Sequence, residues 1–256
     1  MELNDEELSY AIFSHKTQKL EELVTINHQS ETIRKLSKDW RKQKLPISIA
    51  IPYQTIIEKE IKVNHKTRNI KTIKMLKDEA KKHFLYPATK LYIDFYRHNQ
   101  IHITAIAAKK SRINELLRPI INIIHPSHID VDLYALARTV DQKYKTNHLL
   151  IMQQENQLYL IIYKNNTPVI KYSKTLEENT PEKIAQAANI LLKIYNTKTS
   201  LLPISTVVAG HLAKKQNIQK IISSTLKIPC QLDSSYANHS EHLIHLGLAM
   251  RKYDAI

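Results

Sequence analysis

Apolar and polar residues along this chain alternate with a period of two in some stretches and near 3.6 in others, which predicts strands and helices in turn. Residues 8–13 and 20–26 read as two strands joined by a polar turn at 15–18. Ser30 suits the start of a helix with Ile33, Leu36 and Trp40 on one face, which stops before Pro46. Residues 47–51 alternate as a strand that Pro52 ends. Residues 53–108 then read as a small α/β unit of their own. A strand at 56–63 is followed by a helix at 69–84 with Ile70, Ile73, Leu76, Ala80 and Phe84 on one stripe. Pro87 breaks the chain, and strands at 91–96 and 101–108 form a hairpin across 98–100. A Ser111-capped helix follows, with Ile113, Leu116, Leu117, Ile120 and Ile124 inward, then a short strand at 129–131 and a helix at 132–144.

The second half is more regular. Strands at 149–152, 158–163 and 169–173 are separated by turn-like polar segments at 153–156 and 165–168. Thr180 caps a helix that has Pro181 at its first position and Ile184, Ala188, Leu191 and Tyr195 on its stripe. A strand at 205–209, a helix near 214–226, a strand at 229–232 and a final helix to about 251 complete the order. Three meandering strands followed by βα repeats predict an α/β fold, with mixed sheets carrying helices on both faces. The order is that of the ribonuclease-H-like half that actin-type ATPases use twice. The first half repeats it with a first strand missing. The expected organisation is a first lobe at 1–140, with a small subdomain inserted at about 53–108, and a second lobe at 141–256.

Composition narrows the chemistry. The 256 residues include only two glycines, Gly210 and Gly247, where average usage of about 7% would give about 18. No Walker loop, dinucleotide fingerprint or nucleophile elbow can be written without glycine at its fixed positions. High Ile, Lys and Asn with little Gly and Arg also matches AT-rich codon usage. The net charge of +14 favours an anionic partner. Its lysines cluster at 35–44, 66–82 and 109–118, on the polar faces of amphipathic helices, without interleaved aromatics. Specific nucleic-acid binding is therefore not expected. The lone Cys230, in an apolar strand-like stretch, reads as a small buried hydrophobe. His239, His242 and His245 fall at i, i+3 and i+6, which drifts off one helix face, so no metal site is expected. The acidic start and the lack of any apolar run near 18 residues point to a cytoplasmic chain.

Several motifs, in order and spacing, carry a resemblance. Ile49-Ala50-Ile51-Pro52 precedes a helix ending Asp78-Glu79-Ala80-Lys81-Lys82-His83-Phe84-Leu85-Tyr86-Pro87, followed by Leu91-Tyr92-Ile93-Asp94-Phe95. Then come Ile103-Thr104-Ala105-Ile106-Ala107-Ala108, Ile129-Asp130-Val131-Asp132-Leu133-Tyr134-Ala135-Leu136-Ala137-Arg138 and Leu246-Gly247-Leu248-Ala249-Met250-Arg251. Over about 8–252 the chain resembles the PilM family, actin-like cytoplasmic proteins of type IV pilus and competence machines, and within it the short, degenerate HofM-like members.

The resemblance implies an actin-like, two-lobed fold whose first strand and one subdomain are reduced, the latter to the single helix within 175–200. It also implies a nucleotide site that has lost its phosphate grips. The second phosphate hairpin falls at Met152-Gln153-Gln154-Glu155-Asn156 without its glycine, and Glu155 would repel a phosphate at ~4 Å. The adenosine-side turn falls at Val208-Ala209-Gly210-His211. Gln153, Glu155, Ala209, Gly210 and His211 thus mark a vestigial site, with no catalytic residue and no cofactor expected. The implied partner is the cytoplasmic tail of a PilN-like inner-membrane protein. Its groove lies near 47–53 and 84–95, with Ile51, Pro52, Phe84, Tyr86, Pro87 and Asp94 as candidate contacts. Other pilus platform proteins and an anionic membrane surface are further expected partners of a non-enzymatic scaffold at the inner membrane. A working actin-like ATPase and a basic nucleic-acid binder are the alternatives.

Overall fold

The computed structural model describes residues 2–3, 7–14, 19–27, 30–42, 46–62, 70–97, 102–118, 120, 122–141, 147–154, 156–164, 167–178, 180–198, 203–233 and 242–250. The chain divides into two compact units, one of residues 1–29, 46–50 and 128–256, the other of 30–45 and 51–127.

The first unit is built on a five-stranded sheet of β9 (His148–Gln154), β10 (Gln157–Lys164), β11 (Thr167–Thr175), β12 (Ser205–Gly210) and β13 (Cys230–Leu232). Its order is β11-β10-β9-β12-β13. The first three strands are antiparallel; β12 runs parallel to β9, and β13 parallel to β12. Parallel neighbours need a crossover, and the helices α5 (Pro181–Lys198) and α6 (Ile218–Leu226) supply it. Pro181 opens α5 because a proline at the first position loses no helical bond. The Lys183 N–H reaches Thr180 Oγ1 at 3.3 Å, so Thr180 is the cap its sequence position predicts. One sheet face buries Leu149, Ile151, Leu158, Leu160, Ile162 and Val208 against Ile184, Leu191, Ile218 and Ile222 of these helices. The predicted helix near 214–226 is shorter: the chain first makes a 3₁₀ turn (His211–Lys214), and α6 starts only after Asn217 in a left-handed conformation.

The opposite face, including Leu150, Met152, Tyr159, Ile161 and Val207, is also buried. There the Tyr159 hydroxyl donates to Asp132 Oδ2 at 2.9 Å, and Lys171 Nζ donates to the Tyr134 hydroxyl at 3.1 Å. Both acceptors belong to α4 (Asp132–Asp141), which packs against α7 (Leu243–Ala249). At that crossing a Cβ on Gly247 would lie 1.8 Å from the Ala135 carbonyl oxygen, so the helices approach as only glycine allows. Arg138 Nε donates to the Gly247 carbonyl at 2.9 Å, and its Nη2 pairs with the buried Asp130.

The same unit holds β1 (Glu2–Leu3), β2 (Glu7–Ser14) and β3 (Lys19–Asn27) in the order β1-β2-β3, while β4 (Ser48–Ile51), whose last residue belongs to the second unit, pairs with β8 (His128–Val131). In the five-stranded order, the counterpart of β1 is the central strand. Here β1 makes two cross-strand pairs with β2, Glu2↔Ser9 and Leu3↔Leu8. Among the described residues it does not join the β2–β3 hairpin to β4.

The second unit holds α1 (Ser30–Lys42), β5 (Ile56–Lys62), α2 (Ile70–Lys82), β6 (Leu91–Arg97), β7 (His102–Lys109) and α3 (Lys110–Leu117). Its antiparallel sheet has the order β5-β7-β6. Ile61, Leu91, Ile103, Ala105 and Ala107 bury one face against Ala80 and Phe84. The long helix predicted from Ser111 to beyond Ile120 ends at Leu117. Pro119 brings no N–H. The chain continues in tighter bonds, Arg118 N–H to Glu115 at 3.3 Å and Ile120 N–H to Leu117 at 3.0 Å. Ile120 and Ile124 stay buried, now from turns.

Candidate functional site

Of the residues marking the implied nucleotide site, four are described and share one sheet end. β9 and β12 run parallel, with Gly210 in register with Gln153 and Ala209 in register with Met152. The carboxyl ends of parallel strands are where open α/β sheets bind ligands. Gly210 has φ 72° and ψ −154°, a region essentially closed to residues with a Cβ. His211 then opens the 3₁₀ turn. Glu155 lies outside the described residues.

A phosphate cradle needs several backbone N–H groups converging through positive-φ positions. Gln154 pairs with Gln157 across the β9–β10 hairpin, and among its described residues none has positive φ. Gln153, 4% exposed, brings a neutral amide where charge-assisted chemistry would need an ion. No group of three His, Cys, Asp or Glu residues that could hold a metal ion occurs among the described residues. His242 and the buried His245 meet edge to face, ring centroids 5.5 Å apart, while His239 lies outside the described residues. An open cavity of about 440 Å³ lies elsewhere, between α6 and β13, lined by Gln219, Lys220, Ser223, Ser224 and Cys230.

The six candidate contact residues all fall in the second unit, and packing divides them. Ile51 closes β4 and is buried. Phe84 turns inward after α2 into the cluster with Ile61, Leu91 and Ile103, so its ring is core. Pro52 is exposed; its carbonyl accepts the Thr55 N–H at 2.9 Å and the Thr55 hydroxyl at 2.6 Å, fixing a 3₁₀ turn (Tyr53–Thr55). Tyr86 and Pro87 are exposed at the end of the sheet, where Lys109 Nζ stands 4.2 Å above the Tyr86 ring. Asp94 is exposed on β6, on the sheet face opposite α2.

That face holds residues the sequence reading passed over. Strand alternation puts Tyr92 and Asp94 on it, and register puts them in rows with Ala108 and Ile106 of β7 and with Ile56 and Glu58 of β5. Glu58 and Asp94 thus flank Ile106, about 10 Å apart by strand spacing. The Tyr53 hydroxyl donates to Glu58 Oε2 at 3.1 Å, which ties the turn after Pro52 to the same face. The usable signal was the period of two in β5 and β6, which aligns these carboxylates once the register is known.

The strand order β11-β10-β9-β12-β13, with helices on both faces, defines an actin-like fold. Among solved structures, the PilM–PilN type IV pilus biogenesis complex matches over 98% of this chain and 96% of that one, with TM-score 0.66 and 14% identity. A Bacteroides thetaiotaomicron protein with an actin-like ATPase fold and unknown function covers 98% and 94%, at TM-score 0.57 and 8% identity. The cytoplasmic domain of EpsL, an inner-membrane component of the Vibrio cholerae type II secretion system, covers 98% and 94%, at TM-score 0.56 and 8% identity. At these identities the likeness establishes the fold. No protein-family model matches the chain, and no curated protein matches its sequence.

Proposed function

We propose that this protein is a non-enzymatic scaffold of an inner-membrane assembly platform, serving a type IV pilus or DNA-uptake machine from the cytoplasmic side. It docks the cytoplasmic tail of a PilN-like membrane protein, stands beside other platform proteins and uses its basic surface to stay near anionic lipid. The observation that carries the reading is the fold shared with the PilM–PilN structure over nearly the whole length of both chains. We place the lobe boundary near residue 140 and the tail on the inserted subdomain. Pro52, Asp94, Tyr86 and Pro87 offer exposed contacts, while Ile51 and Phe84 are buried. An extended tail suits an alternating row of apolar and charged positions. Glu58 and Asp94 favour a tail with basic residues, in a chain otherwise charged +14. The missing glycine at 152–156, the position of the implied phosphate hairpin, supports a role without nucleotide turnover.

The test is a calorimetric titration, without lipid, of a synthetic peptide of the cytoplasmic tail of the PilN-like protein from the same genome. Binding in the micromolar range is expected, weakened about tenfold or more by Asp94→Lys. A folded protein with no affinity at millimolar peptide overturns the reading.

A further inference from the structure

The corner after α2 presents its apolar side chains to solvent. Leu85 is 99% exposed and Tyr86 42% exposed. A leucine held fully in water at a tight corner forgoes the stabilisation that burial brings, and Phe84 immediately before it shows that the corner can turn an apolar side chain inward. Cations surround the pair. Lys109 stands over the Tyr86 ring, Lys90 is exposed on the next 3₁₀ turn (Ala88–Lys90), and Lys110 Nζ lies 5.5 Å from the ring of half-exposed Tyr92. On α2, Asp78 pairs with Lys81 at 2.6 Å and Glu79 with Lys82 at 2.8 Å. The sheet acids Asp94 and Glu58 lie in the next row beyond Tyr92, so the charges beside the corner itself are those of Lys90, Lys109 and Lys110.

We propose that the Leu85–Tyr86 corner is the point at which this protein touches an anionic bilayer, with Leu85 entering the acyl boundary, Tyr86 at headgroup level and Lys90, Lys109 and Lys110 on lipid phosphates. A protein partner would need a shaped patch of about 800 Å² per side around an anchor. A single protruding leucine with a tyrosine beside it suits a bilayer interface, which imposes no shape. Tyrosine favours the interface because its ring is apolar and its hydroxyl polar, and lysine stems lie along apolar surface while their ammonium groups stay wet. No helix among the described residues is long and apolar enough to cross a membrane. The inference deepens the proposed role near lipid by naming the residues that meet it. It is tested without any tail peptide, whereas tail docking is tested without lipid.

The experiment is flotation of the full chain with phosphatidylethanolamine vesicles, with and without phosphatidylglycerol. Binding is expected only with phosphatidylglycerol, falling as salt rises. Leu85→Ser should lower it about tenfold, and each of Lys109→Gln and Lys110→Gln about fivefold. Leu85 is so exposed that its replacement leaves the fold intact, which a thermal melt checks. A polarity-sensitive dye on Leu85→Cys, in a Cys230→Ala background, should shift to the blue on these vesicles, while the same dye on Ile190→Cys, 60% exposed on α5, should not. Any one of three results overturns the proposal: no vesicle binding, equal binding by Leu85→Ser, or equal dye shifts at both positions.

Discussion

Cys230 shows what burial does to a single group. Its side chain lies at the start of β13, 7% exposed, and desolvation pushes the thiol up from 9.0 to about 11. The folded protein therefore holds this proton more tightly than the unfolded chain does. The resulting stability is present in full below pH 9 and is lost as pH rises from 9 towards 11. Urea midpoints measured across that window should fall, by at most about 3 kcal/mol in stability, and a Cys230→Ala variant should lose this dependence. Disulfide reagents at neutral pH should react far more slowly than with a free thiol. The apolar neighbours Ile228 and Leu232 made this burial legible in the sequence. Gly210 was legible as a survivor but not as a necessity, because only the backbone shows φ 72° with ψ −154°.

At the scale of elements, the crossing of α4 and α7 joins two motifs that the sequence presents separately. Arg138 closes one and Gly247 opens the other, and a hydrogen bond spans the 109 residues between them. Helix propensity alone would make Gly247→Ala stabilising by about 1 kcal/mol. The Cβ, 1.8 Å from the Ala135 carbonyl oxygen, meets backbone rather than a mobile side-chain tip, so the helices must part. Overpacking outweighs propensity, and denaturant unfolding should show a net loss of roughly 2–3 kcal/mol. The periods of two and 3.6 located most of the elements correctly, since a strand or helix repeats its own face. They overextended the helix from Ser111, where Ile120 and Ile124 keep a helical spacing although the chain has already turned at Leu117. An apolar residue at the right interval marks burial, and burial does not require a helix.

For the molecule as a whole, the actin-like order of strands and helices is present in a chain with no glycine at 152–156, the position of the implied phosphate hairpin. Thermal unfolding with and without Mg-ATP tests what that means. A bound nucleotide at 100 times its dissociation constant would stabilise the protein by about 2.7 kcal/mol. No shift in melting temperature is expected at millimolar Mg-ATP, and a clear rise would favour a working ATP site. The sequence by itself determined the kinds of element, their order, the scarcity of glycine and the excess of positive charge, because each of these is local or a simple sum. The tertiary structure alone decided that Phe84 is core while Leu85 beside it is exposed, that Glu58 and Asp94 share a sheet face, and that Gly247 lies against Ala135. Periodicity fixes which side of an element is apolar, but which element covers that side depends on register and packing between residues far apart in the chain.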